Sequence, residues 1–156
     1  MIVYVKSGRD DIFNPMKVES VLVHACNSRG VWGAGIAYQF KKRFPEAYRM
    51  YSHWCKVHHY NVVGKCLVVA DHGCVIGNLI TSHGYGIYKD NEDKILTATY
   101  KSICDLLQQL PVYKVIVSPK INSGLFGVPW ERTEALIKEA IVHSGHDIEW
   151  RVYVID

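Results

Sequence analysis

The sequence has no Cys-x-x-Cys pair, no apolar run approaching the length of a membrane span, and no basic-then-apolar opening of a secretory signal. It also lacks a strong excess of either charge. Its 18 Lys and Arg stand against 15 Asp and Glu, a net charge of +3 with a pI near 8.5. That is too mild for a face that grips a nucleic-acid duplex, and it suits a small anionic ligand. The one basic run, Lys41-Lys42-Arg43, reads as a solvated helix face. Five cysteines, Cys26, Cys55, Cys66, Cys74 and Cys104, are an odd number without paired spacing, which argues against a disulfide framework and a zinc cluster. The 8 histidines are scattered; His53, His58 and His59 lie on or just after a predicted helix with no acidic partner at ligand spacing. No metal and no cofactor are expected. Together these absences predict a reduced, intracellular, cytoplasmic protein with no membrane partner.

What the 156 residues do contain is enough apolar material for a full core, with 49% hydrophobic and 21% charged. No linker, repeat or low-complexity stretch divides them, so residues 1–156 read as a single domain. Residues 2–5 predict a strand and residues 18–25 contain a second, with so little charge in its last half that both faces should be covered. Ile36, Ala37, Phe40 and Phe44 fall at helical spacing, and Pro45 ends or interrupts that helix. Ala47, Tyr48, Tyr51, Trp54 and Cys55 carry the pattern into a second piece. Residues 66–70 and 75–80 read as strands joined by the turn "DHG". Asn91 is placed to cap a helix built on Ile95, Ile103, Leu106, Leu107 and Leu110, with Pro111 closing it. The run "KVIVS" predicts another strand, Pro129 and Gly145 bracket a last helix, and residues 150–155 finish as a strand. Strands alternating with helices predict an α/β fold of three layers, α/β/α. The hairpin makes its central sheet of about six strands mixed.

In such sheets ligands sit where strands end and helices begin. Two loops have that placement: "NSRGVWGAG", residues 27–35, and "PKINSGLFGVP", residues 119–129. Each carries glycines that let backbone N–H groups reach a ligand, and each opens a helix whose positive end favours an anion. Together they have the makings of a two-sided grip on a diphosphate. A dinucleotide fingerprint fails, since Gly33-Ala34-Gly35 lacks its third glycine and position 53 is His rather than an acid. Gly64-Lys65-Cys66 lacks the upstream glycine and the hydroxyl residue of a P-loop.

The stretches "VHACNSRGVWGAGIAYQFKKRFPEAY" and "INSGLFGVPW" resemble a macrodomain, the ADP-ribose-binding module. Within that superfamily they are most similar to the yeast-type ADP-ribose-1''-phosphate phosphatases, relatives of the terminal ADP-ribose protein glycohydrolases. The resemblance spans nearly the whole chain. It implies that Asp11 accepts a hydrogen bond from the adenine amino group, as an ionised carboxylate is fit to do, with Ile12 offering backbone contacts. It implies that Asn27 holds the distal ribose hydroxyls and that Ala25 and Cys26 line the same strand end, Cys26 as a small packing residue. Trp32, Gly33, Ala34, Gly35, Ile36 and Ala37 would wrap the diphosphate; Asn122, Ser123, Gly124, Leu125, Phe126 and Gly127 would close over it, with Phe126 on the distal sugar.

His24 departs from the asparagine of many macrodomains and matches the yeast-type phosphatases. As an imidazole it is the catalytic candidate, by proton transfer or contact with the terminal phosphate; the other reading is a buried ring that orders the loop. His83 and Lys89 are further candidates for the terminal phosphate. The glycohydrolase branch uses a lysine after "LIT" and an acid in its second glycine loop, whereas here Ser82 and His83 follow and "GLFGVPW" has no acid. The expected function is hydrolysis of ADP-ribose-1''-phosphate to ADP-ribose and inorganic phosphate by a monomer. The alternatives are release of ADP-ribose from modified protein or nucleic acid, which would make ADP-ribosylated macromolecules partners, and a non-catalytic ADP-ribose reader.

Overall fold

The computed structural model describes residues 1–7, 11–13, 20–110 and 115–155, apart from the side chains of Ser7, Asp11, Tyr60 and Ile155. The expected end of a helix at Pro111 and the Lys114 of the "KVIVS" run lie outside the described residues. In chain order the elements are β1 (Ile2–Ser7), β2 (Ser20–Asn27), α1 (Gly35–Arg43), α2 (Pro45–His58), β3 (Cys66–Asp71), β4 (Cys74–Ser82), α3 (Glu92–Gln109), β5 (Val115–Ser118), α4 (Trp130–Ser144) and β6 (Glu149–Ile155). The strands form one 6-stranded sheet in the order β1-β6-β5-β2-β4-β3. All neighbours are parallel except β3 and β4, which pair antiparallel as the hairpin predicted. His72 and Gly73 make its turn with φ of 49° and 75°, the left-handed pair that a two-residue hairpin requires.

The alternation of β2 decides which side chain goes where. Leu22 and Cys26 enter a core layer under α1 and α2 with Phe40, Phe44, Ala47, Tyr51 and Cys55. Val21 and Val23 enter the opposite layer, under α3 and α4, with Ile103, Leu106, Ile137 and Ala140. The sheet is therefore covered on both sides, the three-layer arrangement expected. His24, two residues from both Leu22 and Cys26, is committed by the same period to the α1/α2 side.

Local signals act as their chemistry dictates. Pro45, which has no N–H to give, is the first residue of α2, so it starts a helix as well as ending the one before. Gly145 ends α4 in the left-handed region at φ 71°. The Asn91 carboxamide oxygen accepts the Lys94 N–H at 2.9 Å, closing the start of α3. Asn91→Ala is expected to cost about 1 kcal/mol, lowering the melting temperature by roughly 2–4 °C in a thermal scan. No helix among the described residues is long and apolar enough to cross a membrane.

Candidate active site at the carboxyl ends of the parallel strands

Strands β5, β2 and β4 lie side by side and parallel, so the loops that leave them emerge at one edge. These are the two glycine loops and, between β4 and α3, residues 83–91. The first is shaped by Asn27. Its carboxamide oxygen accepts the N–H of Arg29 at 3.0 Å and of Val31 at 3.5 Å, and its Nδ2 donates to the Val31 carbonyl at 2.8 Å. Tyr51 of α2 donates its hydroxyl to the Asn27 carbonyl from below. The amide expected on a ribose diol thus also holds the backbone of its own loop.

Gly33, Ala34 and Gly35 are exposed beyond that turn, and Ile36 and Ala37 half-buried. Helix α1 then begins with no side-chain cap from Ala34 and no acid in its first turn, so its own first residues leave its N-terminal N–H groups to an anion. Trp32 was expected around the diphosphate; its indole instead is wholly buried, stacked on Tyr51 with centroids 5.0 Å apart and meeting Tyr48 at 5.2 Å. Trp32 therefore lies wholly beneath the loop surface, main chain included. A residue flanked by Val31 and Gly33 reads as loop in sequence, and the two tyrosines that bury it come from a different element.

The second glycine loop hangs on Asn122, buried and left-handed at φ 66°. Its Oδ1 accepts the Thr81 hydroxyl at 3.0 Å, and its Nδ2 donates to the Thr99 hydroxyl at 2.8 Å, tying the loop to β4 and α3. Ser123 is half-buried, and Gly124, Leu125 and Gly127 are exposed. Phe126 is half-buried against Ile95, Leu96 and Val128, so its ring leans on α3. Leu125 reaches across to the first loop: a methyl placed on Gly35 would stand 3.4 Å from Leu125 Cδ1. The structure therefore brings the two predicted loops into contact.

Ile12 is buried in the α1/α2 layer, within a single turn Asp11–Phe13 that follows β1; the side chain of Asp11 lies outside the described residues. Ala25 is half-buried at the end of β2, and Cys26 is buried, its thiol pushed well above its ordinary range by burial. It packs, as expected, and offers no thiolate.

His24 has no solvent exposure. Its ring stacks on Phe40 at 4.0 Å and meets Trp32 edge-on at 4.7 Å. Asn78, its register partner on β4, gives its own Nδ2–H to the Leu67 carbonyl, so its Oδ1 accepts from His24 Nε2 at 2.7 Å. Burial lowers the imidazole to about 4, against a smaller upward pull from Asn78. At neutral pH it is a neutral ring packed into the core, with its Nε2 proton engaged.

The 83–91 loop joins the two glycine loops. Ser28 donates its hydroxyl to the His83 carbonyl at 2.8 Å, and Arg29 lies 5.3 Å over the Tyr88 ring. Lys89 donates from Nζ to the Phe126 carbonyl at 3.1 Å. His83 Nδ1 meets Asp90 Oδ2 at 2.6 Å, and the same oxygen accepts the His83 N–H at 3.1 Å. The sequence singles out His83 and Lys89 but not Asp90, seven positions on from His83. Among the described residues no group of three or more His, Cys, Asp or Glu is placed to hold a metal ion.

Comparison with known proteins agrees with this geometry. The family model described as Macro domain matches residues 23–137. An ADP-ribose 1''-phosphate phosphatase of Meyerozyma guilliermondii is 36% identical, the alignment covering 97% of both chains. One from Saccharomyces cerevisiae is 31% identical over 97% of each. Among solved structures, the macrodomain of Mycobacterium tuberculosis DarG superposes with a TM-score of 0.80 at 26% identity, over 100% of this chain and 99% of that one. From the match across most of its length, and from the loops that match carries, the chain belongs to the macro domain family.

Proposed function

We propose that the protein binds ADP-ribose-1''-phosphate and hydrolyses its terminal monoester, giving ADP-ribose and inorganic phosphate. The observation that carries this reading is the meeting of three loops at one sheet edge. Two are glycine-bearing and touch through Gly35 and Leu125, and the third brings His83 and Lys89 beside them. Relatives aligned over nearly the whole chain bear the name of that phosphatase.

In this reading the main chain of residues 33–37 and 123–127 takes the diphosphate, where the start of α1, without an acid in its first turn, favours negative charge. Asp11 takes the adenine amino group. Asn27 and Asn122 act by holding their loops in shape, since their amides already bond to Val31, Thr81 and Thr99. His24 is a positioning residue: it supports Phe40 of α1 and Trp32 of the first loop rather than meeting phosphate. Lys89 supplies a cation beside the second loop, suited to the terminal phosphate. Binding energy from the nucleotide positions the reacting end, which matters because monoester hydrolysis is extremely slow without a catalyst.

The test is an incubation with ADP-ribose-1''-phosphate and ADP-ribosylated protein together, following both products. Inorganic phosphate released from the first, with the second untouched, is the expected result. ADP-ribose released from the protein alone would favour the macromolecular hydrolase. Calorimetric binding of ADP-ribose with neither product formed would make the protein a reader.

A further inference from the structure

We propose that the outer face of α1 and α2, together with Arg29 of the first glycine loop, is a docking surface for single-stranded nucleic acid. This surface is distinct from the cleft between the loops and stands whichever small molecule that cleft takes. The net charge of +3 is an average over two unlike layers. Helices α1 and α2 hold 5 Lys and Arg against 1 acid, a balance of +4. Helices α3 and α4, on the other side of the sheet, hold 4 against 6, a balance of −2. A molecule so divided presents one positive side to a polyanion although its total is mild.

Lys42, Arg43 and Lys56 of this side are exposed, and Lys41 is half-buried. The one acid, Glu46, is neutralised by Arg49, whose Nε donates to its two carboxylate oxygens at 3.2 and 3.1 Å. Asp71, beside the first turn of α2, is buried and accepts the Ala47 N–H at 2.9 Å. Neither carboxylate meets a passing phosphate as an unpaired charge.

Charge alone would suit an acidic peptide equally well. The rings decide for nucleic acid. All four cation–ring pairs among the described residues take their cation from residues 29–43. Arg29 lies over Tyr88, Lys41 over Tyr48 at 4.6 Å, Lys42 over Tyr38 at 5.7 Å and Arg43 over Phe13 at 4.7 Å. Tyr38 and Tyr88 are 45% and 65% exposed, so flat rings stand in solvent beside cations. Single strands are held by this combination, their bases stacking on aromatic rings while their phosphates meet cations. Carboxylates gain nothing from the rings.

The surface is continuous with the first glycine loop. Gly30 lies against the middle of α2, where a methyl placed on it would stand 3.1 Å from Ser52 Cα. Past that contact, His53 and Lys56 are exposed one turn apart on α2. Helix α1 starts on the same loop at Gly35 and carries its three cations in its last turn, roughly 10 Å along the axis.

The test is fluorescence anisotropy of a labelled single strand of about 16 nucleotides, as RNA and as DNA, with the full chain. With roughly four phosphates neutralised, Kd should lie between about 1 and 100 µM near physiological salt, and affinity should fall about fiftyfold from about 50 to 200 mM salt. Binding of either form supports the surface, and the tighter one names the partner. Lys42→Gln with Lys56→Gln should weaken binding about tenfold and make the salt slope shallower by roughly 1.4. Lys101→Gln with Lys138→Gln removes the same charge from exposed positions of α3 and α4 and should change affinity by less than about twofold. Tyr38→Ala should weaken binding about fivefold or more with the salt slope unchanged, because stacking releases no counterions. Every altered side chain is exposed, so each variant should melt within a few degrees of wild type. Equal losses from the two lysine pairs would make net charge the cause and overturn the surface. Poly-glutamate displacing the strand at equal charge would overturn it in favour of an acidic protein. Displacement by ADP-ribose would put the strand in the cleft instead, and no binding at about 50 mM salt would overturn it outright.

Discussion

Lowering the pH from 7.5 to 5 is expected to remove about 2 kcal/mol of folding stability that a His24→Asn variant does not lose. The cause is the gap between the imidazole's ordinary value of 6.5 and the value of about 4 imposed by burial. Between these values the unfolded chain binds a proton at His24 and the folded chain does not, so stability rises with pH. The contribution is fully present above 6.5, declines as pH falls, and is spent below 4. Among the described residues, no neighbour of the ring carries a charge that would welcome the proton. Phe40 stacks on it, Trp32 meets its edge, Asn78 offers a neutral oxygen, and the Cys26 thiol 3.5 Å from Nε2 stays protonated. Asparagine loses the stacking and starts from a lower baseline, so the slope carries the information. Urea midpoints of both proteins across this range give it directly, and other titrating groups cancel in the difference. Parallel slopes would mean that His24 takes up its proton as easily folded as unfolded, contrary to the packing.

The same residue marks where reading the sequence stops. Elements that depend on neighbours along the chain were legible: the "DHG" hairpin, the Asn91 cap, Pro45 between two helices and Gly145 after the last. So were the glycine loops, because their conformational demand is written in their own residues. The second strand, expected within residues 18–25, runs Ser20–Asn27, two residues past that stretch. Strand ends depend on which partner pairs, and only β4 reaches as far as Asn27. The roles of His24, Asn27, Trp32 and Asn122 were set by partners remote in sequence: Asn78, Tyr51, Thr81 and Thr99. No periodicity announces that an asparagine beside a glycine loop will spend its amide on a threonine hydroxyl of another element. The pair His83 and Asp90 was hidden for a related reason. The chain between them folds back on itself, and Gly84 is what permits that.

That fold-back makes Gly84→Ala the most damaging small change to expect. A methyl at Gly84 would overlap the Tyr88 carbonyl oxygen and stand 3.0 Å from its carbon and 3.1 Å from the Tyr88 Cβ. Backbone atoms cannot swing aside as a flexible side chain does, so residues 84–88 must open. Tyr88 then leaves Arg29, Lys89 draws away from the Phe126 carbonyl, and the His83–Asp90 pair is released from the hydroxyl of Ser82 that braces it. Displacements near 1 Å at a reacting group cost about a hundredfold in rate, so phosphate release should fall by that order. Gly86→Ala is the matched comparison. Its φ of 61° makes alanine strained by roughly 1–2 kcal/mol, but nothing lies within 4 Å of the added methyl. A melting scan should show both variants weakened, while the rate separates them: Gly86→Ala close to wild type, Gly84→Ala far below. Equal rates in the two would show that the 83–91 loop can rearrange without consequence for the chemistry, and that loop would then have no part in the site.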